Sequence, residues 1–249
     1  MTTIKLDAID STSSYLSALW RQGLFAPPVA VYTYHQTAGR GRRGDLWQSE
    51  ANKNLTISFL IDFKTKNLKH SFGIVMQTAL TVVRFLEDFQ VPELKIKWPN
   101  DIMSGDQKLC GILVERALQG AQSSPFVVGI GINVNQEDFE SLPHATSMKL
   151  RTEKTYDLDT LSSALIHQIE NTFENQSLQD ELEVAQLLSQ FNKLLYAKGQ
   201  FCAVTIDQHL YQKVKILEVT DEGNLRVEDL ESKQFLLESA AVHFDYAEK

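Results

Sequence analysis

Six consecutive residues, Gly39-Arg40-Gly41-Arg42-Arg43-Gly44, constrain this 249-residue chain more than any other stretch. Three arginines crowd into one short segment of a protein whose formal net charge is -8. Glycine lets backbone N–H groups turn toward a ligand and lets the ligand come close. Arginine supplies a permanent planar cation matched to carboxylate and phosphate. Such a loop in an acidic protein predicts a small, strongly anionic ligand. Fixing six backbone residues costs on the order of 6–12 kcal/mol, and each charge-assisted hydrogen bond returns about 1.5–3 kcal/mol. The loop is therefore expected to be mobile when empty and ordered when filled.

The glycines also satisfy the spacing G-x-G-x-x-G after a strand-like run, with Asp62 where a ribose-binding acid would stand. A dinucleotide fold is nonetheless rejected. Its third glycine should open a helix, whereas Asp45-Leu46-Trp47 leads into a strand pattern. A kinase glycine loop fails because His-Arg-Asp and Asp-Phe-Gly are absent.

The acidic balance argues against broad nucleic-acid or anionic-membrane binding. No run reaches the ~18 apolar residues of a membrane span, and the N-terminal residues lack a signal-peptide core. Cys110 and Cys202 are the only cysteines, far apart in sequence, so a disulfide framework is not expected and a reducing cytoplasm fits. The six histidines lack metal-ligand spacing, so no structural zinc is expected. A hydrophobic content of 43% supports one sizeable core plus a small second domain.

The apolar pattern predicts strands over 4–9, 29–36, 54–63, 94–98, 109–115 and 126–134. Helices are expected from the Ser/Thr-rich caps at 10–14 to Gly23, over 72–86, and over 158–173 and 178–195. Ser104-Gly105-Asp106 reads as a hairpin turn. Ala197-Lys198-Gly199 marks a boundary, after which runs at 201–206, 210–219, 225–230 and 234–242 suggest a small barrel or sandwich.

Further motifs share the chain with the arginine loop: Ser11-Thr12, Gln36-Thr37-Ala38 leading into the loop, Lys97-Trp98-Pro99-Asn100-Asp101, Lys108-Leu109-Cys110-Gly111-Ile112-Leu113-Val114-Glu115 and Gly129-Ile130-Gly131-Ile132-Asn133-Val134-Asn135. In this order they closely resemble the biotin–protein ligases, over nearly the whole chain. The resemblance implies an α+β fold: a mixed, mainly antiparallel sheet with flanking helices, of the class II synthetase-like biotin–lipoate ligase type, over residues 1–196, with a small SH3-like β-barrel over 197–249. The motifs begin near residue 10, so no N-terminal DNA-binding domain is expected. It also implies two steps: biotin and ATP form biotinyl-5′-adenylate, and a lysine of a biotin carboxyl carrier protein then takes the biotinyl group.

In that reading Lys108, Arg40 and Arg42 are catalytic cations, because a carboxylate must meet an α-phosphate and the two charges need neutralising. Asp101 is the candidate to orient or deprotonate the acceptor amine, since a lysine of pKa about 10.4 is mostly protonated at pH 7. Ser11, Thr12 and Gln36 would read the ureido ring, with Gly39, Arg40, Arg42, Lys108, Gly111, Gly129 and Gly131 completing the biotin site. Arg42, Arg43, Trp47, Lys97, Asn100 and Asn133 would hold ATP, Trp47 stacking on adenine, and Mg²⁺ would arrive with the nucleotide. Ser11 also reads as a plain helix cap, Lys108 as a solvated hairpin lysine, and Trp47 as a core residue. Asp45 stands where relatives often carry a basic residue, which weakens any further phosphate contact there. A monomer or homodimer is equally compatible. Two rivals stand: a lipoate or octanoate ligase or transferase of the same architecture, and a non-catalytic ligand-sensing adaptor.

Overall fold

The computed structural model describes residues 1–62, 71–117, 125–139, 142–175, 180–206, 210–239 and 242–244. In chain order the elements are β1 (Thr2–Leu6), α1 (Thr12–Arg21), β2 (Val29–Thr33), β3 (Gly39–Arg40), a 3-10 turn (Arg42–Gly44), β4 (Leu46–Trp47), β5 (Leu55–Ile61) and α2 (Ser71–Asp88). They continue with β6 (Leu94–Lys97), β7 (Asp101–Ser104), β8 (Gln107–Arg116), β9 (Phe126–Ile132), α3 (Met148–Thr152), α4 (Leu158–Asn175) and α5 (Glu181–Lys193). The chain closes with β10 (Phe201–Ile206), β11 (Leu210–Val219), β12 (Leu225–Glu228), β13 (Gln234–Leu237) and β14 (Val242–Phe244).

Seven strands form one sheet in the order β1-β2-β5-β9-β8-β7-β6, antiparallel except for the β1–β2 pair. Successive side chains of a strand point to opposite faces, and here the two faces differ sharply in content. Leu55, Ile57, Phe59 and Ile61 of β5 join Val128, Ile130 and Ile132 of β9 in the main core with α2, α4 and α5. On the other face α1 packs Leu16 and Leu19 against Val31, Leu60 and Val127. Only one end of that second face is filled by α1; the rest carries Thr56, Ser58, Gly129, Gly131 and Gly111. This is the mixed, mainly antiparallel α+β architecture that the motifs imply.

β10 to β14 form a second, antiparallel sheet in the order β13-β12-β11-β10-β14. It is fastened to the first at a definite point. The indole Nε1 of Trp98 donates to the Gly223 carbonyl at 2.9 Å, and Gly223 lies against Phe72 of α2.

Several boundaries move from their expected places. β1 begins and ends earlier than 4–9, since Ile9 leaves the sheet and bridges Gln36. β2 stops at Thr33, where the Thr33 hydroxyl accepts from the His35 N–H and a local turn replaces the ladder. The expected run 234–242 is two strands on opposite edges of the sheet, β13 beside β12 and β14 beside β10. The five-residue helix α3, capped by Ser147, has too few residues to show a period and went unforeseen. The expected ends at Phe63 and Leu178 lie outside the described residues. Among the described residues no helix is long and apolar enough to cross a membrane.

Gly223 has φ +87°, and a Cβ there would come within 2.9 Å of the Phe72 Cβ. Gly223→Ala should therefore destabilise the chain by about 2 kcal/mol or more. A lower urea midpoint checks this; an unchanged midpoint would contradict the close packing of Gly223 against α2.

Candidate functional site

The half-empty face of the sheet becomes a cavity of about 260 Å³. Its floor is set by ladder register: Thr56 pairs with Gly131, which pairs with Gly111, and Ser58 pairs with Gly129, which pairs with Leu113. Three glycines on neighbouring strands leave a trough where side chains would otherwise stand. The segment from Gln36 to Trp47 covers it, and the Trp47 indole lies directly over the trough; a Cβ on Gly111 would meet the ring at 2.9 Å. The indole Nε1 is buried without a hydrogen-bond partner among the described residues.

The N-terminus of α1 forms one wall. Ser11 is the N-cap, its hydroxyl accepting from the Ser14 N–H at 3.3 Å, so the capping role is realised on the cavity wall itself. Thr12 donates its N–H to Gln36 Oε1 at 3.0 Å. Thr12, Ser13, Gln36 and Ser58 are all buried here.

The opposite end is cationic. Lys108 on β8 pairs with Asp101 on β7 at 2.8 Å, and its ammonium lies 5.7 Å from the centre of the Trp47 ring. Lys97, at the end of β6, is only 6% exposed. Burial drives its pKa down to about 7, with the Lys108 charge adding to the fall and Asp101 and Cys202 opposing it. Asn100 lines the cavity while its Nδ2 donates to the Ile112 carbonyl at 2.6 Å.

The arginine loop is a hairpin. β3 pairs with β4, Gly41 N–H donates to the Asp45 carbonyl at 2.7 Å, and Arg43 takes a left-handed φ of 55°. No helix follows Gly44, which agrees with rejecting a dinucleotide fold. Each arginine has a neighbour from elsewhere. Arg40 pairs with Glu115 at 2.7 Å and reaches Ser14 at 3.3 Å. Arg42 donates to the Ser239 hydroxyl at 2.9 Å, and Arg43 donates to the Ser239 carbonyl. Burial, with Arg43 beside it, lowers the Arg42 pKa.

The cavity thus collects Ser11, Thr12, Gln36, Arg40, Arg42, Arg43, Trp47, Lys97, Asn100, Asp101, Lys108, Gly111, Gly129 and Gly131. Two expected site residues stand off its wall. Gly39 sits at the hairpin base against Gln36 and Trp47. Asn133 is buried, donates Nδ2 to the Thr146 carbonyl at 3.0 Å, and borders a neighbouring cavity shared with Trp47 and Lys108. Sequence reasoning missed Ser13, Thr56, Ser58 and Glu115. A hydroxyl in the middle of the apolar run Leu55–Ile61 was the available sign for Ser58. Ser239 carried no local signal.

The description "Biotin/lipoate A/B protein ligase family" matches residues 6–133. The bifunctional ligase/repressor BirA of Escherichia coli is 31% identical over 191 residues, covering 76% of this chain and 58% of that protein. The biotin–[acetyl-CoA-carboxylase] ligase of Mycobacterium tuberculosis is 32% identical over 164 residues, covering 64% and 59%. The chain therefore matches somewhat over half the length of these relatives. The biotin protein ligase of Aquifex aeolicus, solved in complex with biotin and ATP, superimposes with a TM-score of 0.80 at 25% identity, over 98% of each chain.

The Lys97 pKa has a stability consequence whose sign is fixed. The unfolded chain holds the Lys97 proton up to pH 10.5, whereas the folded chain releases it near pH 7. The penalty of burying the charge is complete below pH 7 and fades as pH rises toward 10.5. At about 1.4 kcal/mol per pKa unit, Lys97→Met should stabilise the fold by on the order of 2–4 kcal/mol at pH 6, with the advantage shrinking by pH 10. Urea denaturation across that range checks this; a pH-independent difference would contradict it.

Proposed function

The chain belongs to the biotin/lipoate A/B protein ligase family, and on that premise we propose that it joins biotin to ATP as biotinyl-5′-adenylate and passes the biotinyl group to a lysine of a biotin carboxyl carrier protein. The observation that carries this reading is the polarity of one cavity. Hydroxyl and amide groups occupy one end, and Lys108, Lys97 and Arg42 occupy the other. A ligand with a neutral hydrogen-bonding ring at one end and an acyl phosphate at the other fits that order.

Adenylation brings a carboxylate oxygen onto the α-phosphorus while the bond to pyrophosphate breaks. Both partners are anionic, so the barrier falls when fixed cations meet the charge as it gathers. In this reading Lys108, paired with Asp101, donates to the oxygens around the phosphorus, and Arg42 shares that charge. Mg²⁺ enters with ATP as part of that substrate. In the second step the acceptor nitrogen attacks the acyl carbon, the bond to the phosphate oxygen breaks, and AMP leaves. Asp101, paired with Lys108 on the cavity wall, takes or orients the amine proton. Closure of the arginine hairpin and Trp47 keeps water from the anhydride. Residues 1–196 are assigned to this chemistry and 197–249 to a small β domain that supports the hairpin through Ser239.

Biotin-dependent ATP–pyrophosphate exchange tests the reading directly. Biotin should drive exchange while lipoate and octanoate do not; exchange driven by lipoate alone would move the chain to the lipoate branch of the family, and none at all would leave a ligand-binding adaptor. Lys108→Ala should lose about 10²–10³ of the rate with little change in melting temperature. Near-normal exchange would remove Lys108 from its role.

Nucleotide binding should also move a proton. Lys97 is mostly neutral at pH 8, and an arriving triphosphate favours its charged form. Calorimetry in buffers of different ionisation enthalpy should report uptake of up to about one proton per ATP. Lys97→Met should abolish that uptake.

A further inference from the structure

Lys108 sits where two ladders become irregular at once. On one side, β8 pairs with β9 from Cys110↔Ile132 to Arg116↔Phe126, so β9 has ended before Lys108 is reached. On the other, the β7–β8 register shifts between Ile102, opposite Cys110, and Met103, opposite Lys108, leaving Leu109 as an extra residue. A shift of that kind bends a strand and re-aims its side chains. The Lys108 backbone therefore takes its position from elsewhere.

A three-residue segment fills the place that β9 has left. The Lys108 N–H donates to the His144 carbonyl at 2.7 Å, and the Lys108 carbonyl accepts from the Thr146 N–H at 2.9 Å. Ala145 thus lies beside Lys108 in a single parallel bridge outside the named strands. Asn133 ties this segment down. Its N–H donates to the Leu109 carbonyl at 3.0 Å, its carbonyl accepts from the Met148 N–H at 3.0 Å, and its Nδ2 donates to the Thr146 carbonyl at 3.0 Å. One residue joins β8, the segment and the start of α3. The first two bonds belong to the backbone and survive a substitution; the third belongs to the side chain. Asn133 and Thr146 are both buried, so losing the amide strips a buried carbonyl of its donor. Gln107 Nε2 adds a second tie, to the Ala145 carbonyl at 3.2 Å.

We propose that Asn133 is a positioning residue: by fixing the segment 144–146 it sets the backbone of Lys108, and so the point from which the ammonium meets the reacting phosphate. This rests on the ligase reading and gives Asn133 a role other than the nucleotide contact that its motif implies. The far end of the Lys108 side chain is anchored separately, on Asp101 at 2.8 Å. A change at Asn133 thus displaces Lys108 rather than releasing it. Displacing a catalytic group by about 1 Å costs up to about 10²-fold in rate.

A double-mutant cycle on the full chain tests this, with biotin-dependent ATP–pyrophosphate exchange as the readout. Asn133→Ala should lower the maximal exchange rate about tenfold or more, while the KM for ATP moves less than about twofold. In a Lys108→Ala background the same substitution should cost less than about twofold, because the residue it acts through is gone. An unchanged rate, or an equal loss in both backgrounds, would overturn the proposal. So would a raised KM for ATP with the maximal rate held, which is the pattern of a direct nucleotide contact. Gln107→Ala loosens the same segment from a less buried position. It should lower the rate about threefold, again only where Lys108 is present. Should Asn133→Ala fail to fold, Gln107→Ala decides the matter by the same outcomes. A wild type with no biotin-driven exchange would instead sink the ligase reading itself.

Discussion

Along β5 and β9 the side chains of one face are apolar and join the main core, while toward the cavity end of the other face Thr56, Ser58, Gly129 and Gly131, beside Gly111 of β8, occupy the matching register positions. That asymmetry sets the rest of the site. The apolar face supplies the area that holds α2, α4 and α5 in place. The other face, stripped of bulk at Gly111, Gly129 and Gly131, leaves room for a ligand against bare backbone and for the Trp47 ring above it. The sheet thus carries the floor, and a short hairpin carries the cover. Ladder register keeps such a floor accurate, since a one-residue slip would turn every hollow position into the core.

Electrostatics then divides the cavity. Lys97, Lys108, Arg42 and Arg43 converge in a protein that is acidic overall. Without a ligand their charge is moderated by local means: Asp101 pairs with Lys108, burial discharges Lys97 toward neutrality, and Ser239 supplies neutral oxygens to two arginines. The second sheet takes part through Ser239 and through Val242 at the cavity rim.

Much of this was legible in the chain. Period-two runs found nearly every strand, and the arginine loop was correctly read as strand-flanked rather than helix-opening. The limits are equally specific. Thr33 ends β2 through a hydroxyl bond that no propensity records. The run 234–242 reads as one strand, but its two halves pair on opposite edges of the sheet. The loop's freedom was expected from the cost of ordering six backbone residues weighed against its charge-assisted hydrogen bonds, and the β3–β4 ladder and the Glu115 and Ser239 contacts are partners that the motif does not record.

The order of its motifs by itself determined the family, the fold class and most of the residues gathered around the cavity. Only the folded chain decided which of them share a wall. It moved Asn133 to the neighbouring cavity, brought Glu115 and Ser239 to the arginines, and set Ser13, Ser58, Thr12 and Gln36 within hydrogen-bond reach of one another. The reason is geometric. A motif records residues near one another along the backbone, whereas hydrogen-bond direction and charge neutralisation depend on partners that sheet register and sheet-to-sheet packing bring within about 3 Å.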